Sequence, residues 1–201
     1  MVDAFASDAP TDTTAQTSPW AIGLKDISLR DIRLSFADSL QEAYYYSQIG
    51  QLELQAQSFD LEQQTIAIRD LLWSDSYLEV KVRSEPSVAE TPAQAQATGF
   101  SWPYTGWDIS LGQMEWANLS VAFDDFGSPP LPYGNFDPAH IHLEELSLKG
   151  EGLSWSSAQL SAGLTQLAFR EQNGFELRAL SFQANLTPQS AQLAKLQFAT
   201  P

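Results

Sequence analysis

WAIGLKDISLRDIRLSFAD at 20–38 and WDISLGQMEWANLSVAFDD at 107–125 are one pattern written twice in this chain. They align over nineteen positions without a gap, at an offset of 87 residues (107 less 20). Trp20 answers Trp107, Ile22 answers Ile109 and Leu24 answers Leu111. Ile27 then meets Met114, Leu29 meets Trp116, Ile32 meets Leu119, Leu34 meets Val121, Phe36 meets Phe123 and Asp38 meets Asp125. Few positions are identical, yet each of these large apolar residues is matched by an apolar one. Packing, not surface chemistry, constrains such a unit.

Within the block the apolar residues alternate, as in half-buried strands. The phase slips by one residue after Leu24 and again after Leu29, and each slip would turn the apolar set over unless a bulge or turn absorbs it. The spacing predicts a bulge at the first slip and a hairpin turn at Arg30-Asp31.

The same alternation runs outward from the block. After Tyr44–Tyr46 come Ile49, Leu52, Leu54 and Ala56, then Phe59 and Leu61, Ile66 and Ile68, Leu72-Trp73, and Leu78, Val80 and Val82. In the second copy, LSLKGEGLSW at 146–155 echoes LELQAQSFDL at 52–61 at an offset of 94 (146 less 52). Leu160 to Phe169, Phe175 to Ala184, and Leu193, Leu196 and Phe198 complete the pattern. TPQSAQLAKL at 187–196 has helix-start chemistry in Thr187-Pro188, but its spacing favours a strand. No window holds an apolar helical stripe over three turns. The expectation is an all-β chain of about fourteen strands on the alternation count. Without helices to cover the apolar face, an elongated, curled antiparallel β-sheet forming a groove is expected, made of two sequence-related repeat units. Residues 1–18 read as a disordered linker, 19–83 as the first unit, 84–101 as a linker loop and 102–201 as a second unit truncated at its C-terminus, the whole a segment of a longer protein.

Composition narrows function. The chain has 201 residues, 43% of them apolar and 11% aromatic, enough for a sizeable core. A formal charge of −15 with only ten Lys and Arg argues against nucleic acid as a partner and against charge-driven docking on an anionic membrane. The absence of cysteine excludes disulfides and thiol chemistry. No apolar run reaches the length of a membrane-spanning helix, and residues 1–18 lack the basic start and apolar core of a signal peptide.

Side-chain constellations are sparse. His140, His142 and Glu144 alternate along one strand and could offer a metal an N,N,O set; the competing reading is a solvated outer face with Ile141 and Leu143 inside, and this is preferred. Asp124-Asp125 and Glu144-Glu145 point to opposite faces of a strand and cannot converge on one substrate atom. Asp38 and Asp125, at the ends of matched strands, read as turn formers. Exposed Trp102 or Trp107 could stack sugars, but Trp20, Trp107 and Trp116 are assigned to packing. No phosphate loop, nucleophile elbow or zinc helix occurs, so neither an enzyme nor a cofactor is expected.

The run 20–38, FDPAHIHLEELSL at 136–148, FREQNGFELRALSF at 169–182 and AKLQFATP at 194–201, in that order, resemble the TamB/AsmA-like (translocation and assembly module) envelope proteins in the form found in Bacteroidetes. The family's Glu-x-x-Gly hairpin and its following strand ending in Thr-Pro correspond to Glu171, Gly174, Leu177, Leu180 and Thr200-Pro201, while the first copy shows LLWSDSYLEVKV instead. The resemblance covers roughly residues 19–201. It implies a periplasmic protein anchored in the inner membrane whose β-groove carries phospholipid between the membranes, with acyl chains as the bound groups. It also implies a TamA-type outer-membrane barrel as partner, met through a carboxy-terminal domain; that domain and the anchor helix have no counterpart in these residues. The expected groove lining is Ile32, Leu34 and Phe36; Leu52 and Leu54; Ile66, Ile68 and Val80; Leu119, Val121 and Phe123; Leu146 and Leu148; and Leu160, Leu177 and Leu193. The alternatives are an assembly factor for outer-membrane β-barrels acting by strand addition, and an extracellular carbohydrate-binding β-sandwich.

Overall fold

A computed structural model describes residues 25–40, 42–84, 102, 104 and 106–201. The proposed linker 1–18, the positions Trp20, Ile22 and Leu24, and loop residues 85–101 lie outside the described residues. The strands are β1 (Asp26–Asp38), β2 (Ala43–Asp60), β3 (Thr65–Ser74), β4 (Tyr77–Val82), β5 (Asp108–Asp125), β6 (His140–Trp155), β7 (Leu160–Glu171), β8 (Glu176–Leu177), β9 (Ala179–Thr187) and β10 (Ser190–Ala199). All ten belong to one sheet, ordered β1-β2-β3-β5-β6-β7-β9-β10, with β4 beside β2 and β5, and β8 beside β7. The all-β reading therefore holds, and there is no helix among the described residues. Residues 187–196 form the β9–β10 turn and the start of β10, as their spacing favours.

Two expectations change. The described residues form ten strands against about fourteen expected for the chain, because single strands of up to 18 residues run straight through phase slips that an alternation count treats as breaks. The sheet is also mixed. β3 and β4 lie end to end along β2 and pair in parallel with β5, while every other ladder is antiparallel. Counting β3–β4 as one line, the first meander crosses the sheet an odd number of times. The strand that opens the second meander therefore runs alongside its predecessor in the same direction.

The slip at Arg30-Asp31 is not a hairpin turn. Asp31 sits inside β1 with φ of 54°, and Asn118, its counterpart 87 residues on, sits inside β5 with φ of 55°. Left-handed residues recur on neighbouring strands at Asp75 (φ 49°), between β3 and β4, and at Glu145 (φ 53°) in β6. Gly50 of β2 completes the line: Arg30 pairs Gln51 and Ile32 pairs Ile49, so Asp31 faces Gly50. A crease thus crosses the sheet through Asp31, Gly50, Asp75, Asn118 and Glu145. Each crease residue absorbs one position, so Leu29 and Ile32 return to the same face, as do Trp116 and Leu119. Asp and Asn tolerate this conformation better than most side chains. The Asn118 amide also donates to the Asp75 carboxylate at 2.7 Å, tying two crease residues together. A second, parallel crease passes Arg69, Gly112 and Gly152, where the flanking pairs Ile68↔Leu111↔Leu153 and Asp70↔Gln113↔Glu151 bracket it.

The echo of 52–61 in 146–155 survives with a corrected register. Leu29 pairs Leu52, and Trp116, the counterpart of Leu29, pairs Leu148. Leu52 thus corresponds to Leu148 rather than Leu146. The displacement of two residues leaves the face assignment intact. Turn chemistry repeats as well: Asp38 accepts the Leu40 amide at 2.9 Å, and Asp125 accepts the Gly127 amide at 2.8 Å.

Candidate functional site

Ladder register places apolar side chains in rows that run across the strands on one face, because directly paired residues point the same way. One row reads Leu29, Leu52, Trp73, Trp116, Leu148, Leu167. The next reads Ile27, Leu54, Leu71, Met114, Gly150, Leu164, Phe182. Beyond the second crease lies Phe59, Ile66, Ile109, Trp155, Leu160, Leu186. On the other side of the first crease lie Leu34, Ser47, Leu78, Val121, Leu143 and then Phe36, Tyr45, Val80, Phe123, Ile141. Four of these rows carry no charged side chain, and the row through Leu143 ends on β7 at the buried Glu171. Eight strands span about 34 Å at about 4.8 Å per spacing, and the run from Ile109 to Phe123 is about 46 Å at about 3.3 Å per residue.

The sixteen expected lining residues all fall on this face. Ile32 pairs Ile49 and Leu119 pairs Leu146 beside the first crease, Ile68 pairs Leu111, Leu177 pairs Phe169, and Leu193 pairs Ala184. The structure brings them together as one surface, not as a pocket. Their burial is uneven: Leu119, Leu146 and Leu177 are 1%, 7% and 4% exposed, whereas Leu34, Phe36 and Leu193 stand 57%, 62% and 57% exposed. A covered core would bury most of them, so the face has one layer of protein behind it and none in front among the described residues. The expected list omitted Leu71, Trp73, Met114 and Trp155, although they occupy the same rows. The slip beside Arg69 displaces Leu71 and Trp73 from the phase of Ile66 and Ile68, and that slip was the signal that could have found them.

Trp73 and Trp116 meet edge to face at 5.7 Å between ring centres. Their indole Nε1 atoms, and that of Trp155, are buried without a hydrogen-bond partner. Each such donor costs about 1–3 kcal/mol against one satisfied by water. Trp107 packs on Phe59 at 6.5 Å, and Trp102 donates to the Ser156 carbonyl at 3.1 Å, so each has a packing or hydrogen-bonding role within the fold.

The opposite face is polar. Glu115–Lys149 and Glu79–Lys81 pair there, and a shallow depression along the second crease is lined by Gln113, Glu151, Gly163, Gln183 and Gln192. At one end of β5 and β6, His140 and His142 both reach Asp124, at 3.2 and 3.0 Å. Glu144, the third member of the expected set, is exposed, and no group of described residues forms a metal site. His140 Nε2 also faces the Ser128 carbonyl at 3.0 Å. With an acceptor at each ring nitrogen, the doubly protonated imidazolium is favoured. The Ser128 carbonyl first, and Asp124 and Asp137 with it, raise the pKa of His140 against the opposing effect of desolvation. Asp125 is held below the usual carboxylate range by the Ser84 and Gly127 amides, and Asp137 by those of Leu131 and Ala139. These groups fasten the 126–139 loop and do not converge on a substrate position.

The hairpin after β7 explains its own residues. Glu171 is buried and accepts the Asn173 amide at 2.8 Å, while Gly174 takes φ of 99° in the turn. No protein-family model matches the chain, and no curated protein matches it in sequence.

Proposed function

We propose that the chain is a segment of a periplasmic, bridge-like envelope protein, anchored in the inner membrane through another part of the molecule. Its apolar β-face carries phospholipid acyl chains between the membranes. One observation carries this reading: an apolar face, charged at the end of one row by Glu171, runs over the sheet in long rows, and among the described residues large side chains such as Leu34, Phe36 and Leu193 stand more than half exposed on it. Exposing such a surface to water is unfavourable by about 25 cal/mol per Å², and an extended apolar ligand relieves that cost. The face is also long for a lipid, since one leaflet of a bilayer is about 15 Å of hydrocarbon. The family resemblance supplies the rest of the reading.

Purified chain, extracted and weighed by native mass spectrometry, should carry phospholipid, and photoactivatable probes at Leu34 or Leu148 should crosslink to it. Val121→Asp places a charge in the middle of a row and should abolish both signals while leaving the sheet folded by circular dichroism. Lipid-free chain with no crosslinking would sink the reading. The exposed β10 edge favours a second reading, in which strands of outer-membrane barrels are received by edge addition. Loss of barrel assembly with intact lipid binding in a Gln197→Pro variant would favour it.

A further inference from the structure

β1 and β10 are the two outer strands of the sheet path, and no described residue pairs with their outer sides. Tracing the ladders shows that they run in the same direction: two antiparallel steps lead from β1 to β3, a parallel step to β5, and four antiparallel steps to β10. Set edge to edge, they would be parallel, like β3 and β5.

Their rows agree too. Lys195 and Leu196 lie opposite Phe182, between the pairs Ala194↔Gln183 and Gln197↔Ser181, and Phe182 ends the row of Leu71 and Met114. Leu193 pairs Ala184, and Phe198 pairs Leu180. β10 thus keeps the apolar spacing of β3: Leu193, Leu196 and Phe198 stand where Ile68, Leu71 and Trp73 stand, with the slip at left-handed Lys195 (φ 54°) one position later than that at Arg69. On the other edge, Ile27 and Leu29 share the rows of Met114 and Trp116 on β5. The two open edges of one chain reproduce the two sides of its internal parallel junction.

We infer that the chain associates head to tail with a second copy, the β10 edge of one against the β1 edge of the next. Leu196 then sits beside Ile27, Gln197 beside Ser28 and Phe198 beside Leu29, as Leu71, Leu72 and Trp73 sit beside Met114, Glu115 and Trp116. β10 is exposed along its whole length and carries one charged side chain, Lys195, so little guards it against pairing. The contact is heterologous, so each copy that joins leaves one edge of each kind for the next. This inference is independent of what the apolar face binds.

The absence of cysteine makes the test clean. Ser28→Cys and Gln197→Cys, both on exposed positions, are made as separate full-length variants. Mixed under mild oxidation, they should give a disulfide-linked heterodimer within minutes, and the double variant should give a ladder of oligomers. Paired residues of adjacent strands lie about 4.8 Å apart, within disulfide reach. The unmodified chain should show mass-dependent sedimentation over the same concentrations. Homodimers forming as readily in either single variant, which would mean antiparallel β1·β1 or β10·β10 pairing, overturn the inference. So does a chain that remains monomeric at its solubility limit.

Discussion

Leu119 and Leu34 occupy the same face in matching stretches of the two repeats, yet their surroundings differ completely. Leu119 lies next to a crease residue and is 1% exposed, while Leu34 is 57% exposed near the edge. Leu119→Ala should lower unfolding free energy by about 2–5 kcal/mol, measured by denaturant titration, because little around it can collapse into the void. Leu34→Ala should cost under about 1 kcal/mol. The sequence shows both as apolar partners in one alignment and cannot rank them, because depth depends on how many strands lie on either side. The same limit hid the role of Asp124. Its neighbours His140 and His142 were visible as a pair, but the carboxylate that joins them comes from the next strand and depends on register.

Strands and loops carry the creases and their fastenings. Gly50 faces the Asp75 carbonyl so closely that an added Cβ would lie 2.3 Å from its oxygen. Gly50→Ala must displace backbone and should lower the melting temperature by several degrees. Asn118→Val should do likewise, through a β-branched side chain forced left-handed and a lost bond to Asp75, whereas Asn118→Gly should be far milder. Both comparisons are read by thermal melts. The 126–139 loop has a pH window. His140 is raised in the fold, so its contribution is full below about pH 6.5 and fades as pH climbs through the higher folded value. Asp125 and Asp137 are lowered, so their contributions hold above about pH 4 and are lost as acid reaches the folded values. Stability measured from pH 5 to 9 should fall at the alkaline end, and His140→Gln should flatten that fall. Element type was legible from period-two alternation, and so were the crease positions as phase slips. Alternation alone could not say that a slip bends a strand instead of ending it, which is why Asp31 read as a turn and why the strand count was too high. Parallel pairing at β5 was not legible either, since it follows from β3 and β4 sharing one line along β2.

At the scale of the whole molecule, repetition is the organising fact. The offset of 87 residues that matches Asp31 to Asn118 in sequence also matches their backbone conformation. Apolar residues can exchange freely along a row while the two meanders keep one continuous face. That continuity, more than any one side chain, underlies the proposed path for acyl chains, and the shared face of the sixteen residues expected to line it was readable in advance because parity needs no knowledge of depth.

The shared direction of β1 and β10 has a mechanical side. Tension applied at Asp26 and at Ala199 pulls on opposite edges of the sheet along the strand axes and in opposite senses. Every ladder between them is then loaded in shear, many hydrogen bonds at once, instead of being peeled open one bond at a time from a hairpin end. A segment strung between two anchored ends would resist stretching as a tether does, and its weakest direction would be crosswise, at the β9–β10 hairpin.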